Sequence, residues 1–476
     1  MIYGEQMKKT NSKSPYLYER KNFWKDAPAA EQKAAMDYAL PYKMFLDECK
    51  TERETAIWVE KQLKKHKFVT VDGKKGAKGV YRIFRGKTMA IAILGTEPLN
   101  KGFNMVASHI DSPRVDLKQN PLYEDGPSQM ACMRTHYYGG IKKYQWVSTP
   151  LAIHGVIVKN DGSVINVSIG EKDSEPVFII PDLLPHLARK EQYAKNMADA
   201  VDASKMNLVF SGMIEPSSEE KEAAKSFALK AMNKMFGITE ADFLSAELYL
   251  VPATKARDAG IDSSMISGYG QDDRICAYTA LTALLDNMDI KPKRTMIVYL
   301  SDKEEVGSQG ATGAHSIFIQ DFVGELLAYK GEDNSSANLR KTFMNSQILS
   351  GDVTAVLDPN YPNVHEKQNA VIFNHGIGVS KFTGSGGKYG CNDANAEFTA
   401  KVIKIFNEAG VFWQMGELGK VDEGGGGTIA YILANLGAEV IDCGVGLMGM
   451  HSLYELCSKA DMYSTYKAYK AFLATH

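Results

Sequence analysis

The sequence predicts an α/β protein in which helices sandwich a mixed, largely parallel sheet and a β-rich unit is inserted. The chain has 476 residues, more than a single hydrophobic core normally supports. Helical and strand-like segments alternate through 253–476, which is typical of a parallel sheet covered on both faces. Between 120 and 252 alternating strands and turns dominate instead. We therefore expect 1–119 and 253–476 to form one domain and 120–252 to form a second.

The first segment begins as helix and continues as strands. In "AAMDYALPYKMFLDECKTERETAIWVEKQLKKH" apolar residues recur three and four apart, which predicts a helical region interrupted at Pro41. Four β-type runs follow, "KFVTV", "GVYRIFR", "TMAIAIL" and "FNMVASHI". The last run ends at His109, and open α/β sheets bind ligands at the carboxyl ends of their strands.

The two remaining segments differ in their predicted secondary structure. The stretch "WVSTPLAIHGVIVKNDGSVINVSIG" predicts strands joined by a turn at Asn-Asp-Gly, followed by the charged helix "SSEEKEAAKSFALKAMNKMFG" and the strand "SAELYLVPA". Further along, "DDRICAYTALTALLDNM" predicts an amphipathic helix and "RTMIVYL" a buried strand. The chain finishes with a helix predicted from about Ser458.

Composition excludes several classes of function. Lys and Arg number 55 against 57 Asp and Glu, for a net charge of -2, so neither nucleic acid nor an anionic membrane is expected as partner. No apolar run approaches the roughly 18 residues of a membrane span, and the first residues lack an apolar stretch of signal-peptide type. We expect a cytoplasmic protein. The six cysteines form no C-x-x-C pair, so any metal would be bound by His and carboxylates.

Acidic residues and histidines follow several apolar runs. In "ASHIDSPRVD", His109 and Asp111 would point to the same side of an extended strand end, so Asp111 could orient a metal-bound His109. In "VYLSDKEEVGSQGA", Glu304 and Glu305 follow a buried strand, and one could bind a metal while the other accepts a proton from an activated water. Each pattern alone also fits a surface loop.

Further candidates lie in three other stretches. Asp272 and Asp273 begin a helix, where they could cap its N-terminus or bridge two cations. Asp352 lies in "LSGDVTAVLDPNY", and His451 in "GLMGMHSLYELC" could equally be a core histidine. Taken together, carboxylates and imidazoles without thiolates suit zinc, manganese or cobalt in a hydrolytic two-metal site.

Two glycine tracts, at 384–387 and 424–427, are turns or substrate-binding loops. The second runs into a helix N-terminus, where backbone N–H groups can receive a carboxylate or carbonyl oxygen. The first is flanked by Lys381, Lys388 and Tyr389, which could grip a charged group of a substrate.

In chain order, "SHIDSPR", "YGG…W", "DD", "DKEEVGS", "SGDVTAVLDPNYPNVHE", "KYGCNDA" and "GMHS" resemble the aspartyl aminopeptidase family of dinuclear zinc metallopeptidases, from about Lys43 to the C-terminus. The resemblance implies a cytosolic metallo-aminopeptidase that uses two divalent ions, zinc first and cobalt or manganese as alternatives. It implies these roles: one ion on His109 and Asp352, the other on Glu305 and His451, Asp272 as the bridge, Asp111 as the orienter of His109, and Glu304 as the general base.

The resemblance also implies an assembly and a substrate site. Residues 120–252 would be a dimerisation domain, the homo-oligomer would be built from dimers up to a tetrahedral dodecamer, and His186 in "IIPDLLPHLAR" would enter the neighbouring subunit's site. Lys381 and Tyr389 match substrate-contacting residues, with one extra residue between them.

This chain departs from the family pattern at two points. Asp-Asp-Arg replaces the usual Asp-Asn, so Asp273 is the alternative to Asp272 as bridge. An acidic residue before "YGG" and an Asp-Arg after the Trp are missing, so the removed N-terminal residue could be acidic or neutral. The rival hypotheses are a related dinuclear deacylase or carboxypeptidase and a peptide-binding scaffold without catalysis.

Overall fold

A computed structural model describes residues 16–214 and 221–475. Its strands, in chain order, are β1 Val69–Thr70, β2 Gly79–Phe84, β3 Thr88–Ile93, β4 Phe103–His109, β5 Arg114–Asp125, β6 Met130–Tyr138, β7 Leu151–Val158, β8 Val164–Ile169, β9 Leu208–Ser211, β10 Glu247–Pro252, β11 Arg257–Ala259, β12 Met265–Gly268, β13 Thr295–Ser301, β14 Gln347–Ser350, β15 Thr354–Ala355, β16 Ile377–Ser380, β17 Trp413–Met415, β18 Glu439–Gly444, β19 Gly446–Met448 and β20 Glu455–Ser458.

The α-helices are α1 Phe23–Asp26, α2 Ala29–Glu48, α3 Glu52–Lys65, α4 Met197–Ala200, α5 Ala223–Phe236, α6 Gln271–Leu285, α7 Phe318–Lys330, α8 Ser336–Met344, α9 Ala396–Glu408, α10 Ala430–Ala434 and α11 Lys459–Ala474. None of the helices in the described part of the chain combines the length and the apolar character that a membrane crossing requires.

The largest sheet has nine strands in the order β1-β2-β3-β13-β4-β14-β18-β16-β17. Its central strands β13, β4, β14 and β18 are parallel, whereas β3 pairs antiparallel with β13 and β16 antiparallel with β18. Helices α2, α3, α6, α9 and α11 pack on one face and α7, α8 and α10 on the other, each over a separate hydrophobic cluster. The predicted mixed, largely parallel sheet between helices is confirmed.

A second sheet of six antiparallel strands has the order β8-β7-β10-β5-β6-β9. Its apolar residues pack with α5 into a hydrophobic cluster of their own around Trp146. All its strands lie between Arg114 and Pro252. The division at 120 and 252 stays a prediction, as does the start of the charged helix, because 215–220 lie outside the described residues.

A third sheet, in the order β11-β12-β20-β19-β15, was not foreseen. Its strands have two to four residues, too few to show an alternating pattern in the sequence. This small sheet matters because the loop between β19 and β20 carries His451.

Two local predictions were wrong. Helix α2 continues through Pro41 because the proline lies on the exposed side while Tyr42 and Phe45 pack into the core, so burial outweighs the lost hydrogen bond. Helix α6 is buried nearly all round and is not amphipathic, because it packs between the large sheet and α11. The final helix begins at Lys459, next to the predicted start, and Ser458 is its N-cap.

Candidate metal centre

Three neighbouring strands deliver four of the candidate residues to one edge of the large sheet. Strand β4 ends at His109, the 3₁₀ turn Glu304–Val306 follows β13, and Asp352 lies two residues beyond β14. Because β4 is parallel to both β13 and β14, the carboxyl ends of the three strands meet. The candidate residues that follow these strands, including Glu305, are thereby brought together.

Asp272 and His451 arrive from outside this sheet. Asp272 lies in the first turn of α6 with non-helical dihedral angles, and His451 lies in the β19–β20 loop with a φ of 65°. Glu455 fixes both backbones, since one of its oxygens accepts the N–H of His451 at 2.8 Å and the other that of Asp272 at 3.1 Å. Sequence reasoning missed Glu455. Its position four residues after His451 was the available signal.

The carboxylate of Asp272 lies between the two histidines. Its Oδ1 is 3.2 Å from His109 Nε2 and its Oδ2 is 3.2 Å from His451 Nε2. Around His109 Nε2 lie Asp352 Oδ1 at 3.8 Å and Glu304 Oε2 at 4.0 Å. Glu305 Oε2 lies 3.5 Å from His451 Nε2. The six side chains therefore converge on two adjacent points joined by Asp272.

The convergent atoms are better suited to binding cations than to hydrogen bonding with each other. Asp272 Oδ1 and Glu305 Oε1 are buried and make no hydrogen bond of good geometry, although buried carboxylates normally find a partner. Burial, with repulsion from Asp272, raises the pKa of Glu305 well above its usual value, and burial raises that of Asp352 as well. Divalent cations would supply the missing partners and stabilise the ionised carboxylates. Imidazole with carboxylate oxygen is a donor set that zinc accepts.

Asp272, and not Asp273, faces the cluster. Burial alone would raise the pKa of Asp272, but the two histidines outweigh it and hold that pKa well below the ordinary range. Asp273 Oδ2 instead accepts a hydrogen bond from Ser108 Oγ at 2.5 Å, inside the protein core. Its buried side chain turns toward β4, so it is not the carboxylate placed between the histidines.

Asp111 is completely buried beside His109. His109 Nδ1 lies 3.1 Å from the backbone oxygen of Asp111 and 3.3 Å from its Oδ1. The same carboxylate accepts the backbone N–H groups of Glu304 at 3.1 Å and Glu305 at 3.2 Å, and the hydroxyl of Tyr138 at 2.8 Å. Asp111 thus contacts the His109 ring through both its backbone oxygen and its carboxylate, and the carboxylate also holds the acidic turn.

A cavity of about 700 Å³ opens on the cluster. Its far wall includes Thr428 and Asp442, joined by a 2.7 Å hydrogen bond, and the glycine tract 425–427. Burial raises the pKa of Asp442 to about 6. The sequence analysis did not identify this pair, although it named the preceding glycine tract as a possible substrate-binding loop.

The other candidates lie apart from the cluster. Lys381 Nζ is 2.5 Å from Asp393, and Tyr389 is 80% exposed. Neither lines the cavity. His186 is exposed on the surface of the chain. Of the ten residues to which the family resemblance assigns roles, the structure of a single chain therefore brings seven together and leaves these three outside.

Comparison with known proteins identifies the family that the chain resembles. The family model described as "Aminopeptidase I zinc metalloprotease (M18)" matches residues 45–473. A probable M18 family aminopeptidase 1 of Clostridium acetobutylicum is 49% identical over 465 residues, which cover 96% of this chain and 98% of that protein.

Solved structures show the same fold. The crystal structure of an M18 aminopeptidase from Thermotoga maritima superposes with a TM-score of 0.91 at 45% identity, covering 97% of this chain and all of the other. A more distant chain, the mApe1 dodecamer of S. cerevisiae, has a TM-score of 0.73 at 21% identity and covers 93% of this chain and 97% of that one.

Proposed function

The chain belongs to the M18 family of zinc metallo-aminopeptidases, and from that membership we propose how its residues remove the N-terminal residue of a peptide. The protein is a metal-dependent exopeptidase. The observation that carries the proposal is the placement of Asp272, with one oxygen 3.2 Å from each histidine. A carboxylate in that position can serve two cations at once.

We propose that two ions bind here. His109 and Asp352 would hold the first, Glu305 and His451 the second, and Asp272 both. Asp111 would keep His109 in the tautomer that leaves Nε2 free for the metal. Zinc is the expected ion for this family, and cobalt or manganese would suit the same oxygen and nitrogen donors.

Glu304 is the proposed general base. When bound, the ions would polarise the scissile carbonyl and acidify a nearby water molecule. Glu304 would accept a proton from that water as its oxygen attacks the carbonyl carbon, and would deliver the proton to the leaving amine as the C–N bond breaks. Burial raises the pKa of Glu304 to about 7 in the cation-free protein, and neighbouring cations would lower it. The lowered pKa would keep Glu304 ionised near neutral pH and therefore able to accept the proton.

The side chains that line the cavity indicate which N-terminal residue of a peptide is removed. Among the described residues that line it there is no lysine or arginine, whereas Asp442 adds a carboxyl group. We propose that neutral N-terminal residues are preferred over acidic ones, because an acidic side chain would meet no cation there. Lys381 and Tyr389 stay proposed as substrate contacts outside the cavity, where Lys381 is already paired with Asp393 and offers no unpaired charge to an acidic side chain.

Assembly and location are further proposals. The apolar residues Leu183, Leu184 and Leu187 around His186 are exposed, which suits a contact with a second copy and entry of His186 into its site. The dodecamer formed by S. cerevisiae mApe1 is the assembly we propose. All six cysteines are free thiols, which fits the reducing cytoplasm.

A substrate panel on chelated protein tests the function. We expect full hydrolysis of leucyl-p-nitroanilide only after two zinc ions per chain are restored. The kcat/KM for the leucyl substrate should exceed that for the aspartyl one at least about tenfold, since a missing polar partner costs that much or more. Acetyl-leucyl-p-nitroanilide should stay intact, because an aminopeptidase needs a free amine. Cleavage of the acetylated substrate would favour the deacylase hypothesis, and saturation at one zinc would contradict the two-ion site.

A further inference from the structure

Tyr138, the last residue of β6, reaches the metal centre from the antiparallel sheet. Its hydroxyl donates to Asp111 Oδ2 at 2.8 Å. The only other hydrogen bond found to that oxygen among the described residues comes from the Glu305 N–H, at the longer distance of 3.2 Å. The hydroxyl is therefore the closer of two groups that hold this side of the carboxylate.

The ring of Tyr138 is itself firmly held. The guanidinium carbon of Arg114 lies 4.0 Å from the centre of this ring and 3.8 Å from that of Tyr249, so the cation is sandwiched between two aromatic faces. Arg114 is anchored in turn, with Nη1 3.2 Å from Glu52 Oε2 and Nε 2.8 Å from Asp116 Oδ1. Of these groups, the Tyr138 hydroxyl is the one that donates a hydrogen bond to Asp111, whereas the hydrogen bonds of Arg114 go to Glu52 and Asp116.

We propose that Tyr138 is a positioning residue whose hydroxyl holds the Asp111 carboxylate, and through it both the His109 ring and the turn that carries Glu304 and Glu305. The proposal rests on the proposed function, in which Asp111 orients a zinc-bound His109. Without the hydroxyl, Oδ2 would keep only the longer amide contact, and the carboxylate could rotate away from the geometry that serves both partners.

A purely structural role is the alternative. Tyr138 lines a second, polar cavity of about 650 Å³ together with Arg114, Tyr249 and Asp302, and it does not line the catalytic cavity. Loss of its hydroxyl should therefore leave substrate binding almost unchanged. A positioning role predicts altered metal affinity and kcat, whereas a packing role predicts lower thermal stability alone.

Tyr138→Phe and Tyr249→Phe form a matched pair. Both rings flank Arg114, and each variant loses one hydroxyl, but Tyr249 donates to Glu52 at 3.1 Å and not to Asp111. For Y138F we expect zinc affinity, measured by chelator competition, to weaken about tenfold, at the lower end for groups that orient a ligand. The kcat should fall by a similar factor with KM within twofold. Amide hydrogen exchange at 304–305 should quicken in the zinc-free protein.

The Y249F variant should keep zinc affinity, kcat and exchange at 304–305 within twofold of the parent. Equal behaviour of the two variants would overturn the positioning role even if the parent hydrolyses peptides normally. Failure of the parent to bind two ions would instead refute the proposed function.

Should Y138F fail to fold, 3-fluorotyrosine at 138 keeps the ring and makes the hydroxyl a stronger donor. Tighter zinc binding, by at least twofold, would then support the proposal, and unchanged affinity would overturn it.

Discussion

Two buried histidines in different layers each lie among carboxylates, and their surroundings differ in one respect. His154, on β7, has Nδ1 2.7 Å from Glu54 Oε1 and Nε2 2.9 Å from Glu171 Oε1. Lys50 Nζ lies 2.7 Å from the same Glu171 oxygen. Every close approach in this group is a hydrogen bond of ordinary length, so the cluster is complete as it stands.

The group around His109 is open by comparison. Its carboxylate oxygens stop 3.2 to 4.0 Å from the Nε2 atom, and the nearest of them, Asp272 Oδ1, makes no hydrogen bond. A buried histidine surrounded by acidic side chains thus occurs both in a structural network and in the candidate metal centre. The distinguishing feature is a set of buried ligand atoms that converge without reaching one another.

Substitution of one glutamate in each group gives the largest contrast. Glu304→Gln should lower kcat by about 10²–10⁴-fold, the usual contribution of a general base, while zinc content by metal analysis stays at the parent value. Glu54→Gln, the matched change beside His154, should leave kcat within twofold for the folded protein. Unchanged turnover in E304Q would remove Glu304 from the mechanism.

Replacing each histidine separates binding from stability. His109→Ala should reduce the rise in Tm that excess zinc gives to the chelated protein, because that rise reports zinc binding to the folded state and one of the two proposed ions would lose a ligand. His154→Ala should lower stability by about 2 kcal/mol by removing one hydrogen-bond partner from Glu54 and one from Glu171, yet keep the zinc-induced rise in Tm. Scanning calorimetry with and without zinc measures both, and loss of the zinc effect in H154A would erase the distinction.

The pH dependence of stability provides the finest test. Burial alone would lower the pKa of His154, but Glu171 and Glu54 raise it to about 9. The stabilisation is therefore complete below the unfolded value near 6.5 and is lost as pH rises from 6.5 through 9. A shift of this size corresponds to about 3 kcal/mol. Urea unfolding of zinc-loaded protein at pH 6.5 and 9.5 should show this loss, and His154→Gln should remove it.

The sequence predicted the large sheet well because long apolar runs identify buried strands wherever they pair. β4 and β13, for example, are buried at every position. It failed at Pro41 and at the third sheet for opposite reasons. Tertiary packing overrode a strong local signal in the first case, and strands of two to four residues carry too weak a signal in the second.

Within the metal centre, the residues after strand ends could be predicted because strand direction fixes where they meet. Asp111, His109 and the Glu304–Glu305 pair belong to this group. The contact of Glu455 with the backbone N–H of Asp272 and that of Tyr138 with the Asp111 carboxylate could not, because each joins parts of the chain that are distant in sequence or lie in different sheets. Periodicity says nothing about such partners.

The backbone oxygen of Gly140 lies 2.8 Å from His451 Nδ1, and this contact joins the chain leaving the antiparallel sheet to a proposed ligand 311 residues further along the sequence. A carbonyl oxygen can only accept a hydrogen bond, so Nδ1 must carry the proton and Nε2 is the nitrogen left to face a cation. The backbone of the antiparallel layer thus selects the imidazole tautomer that a metal ligand at position 451 requires.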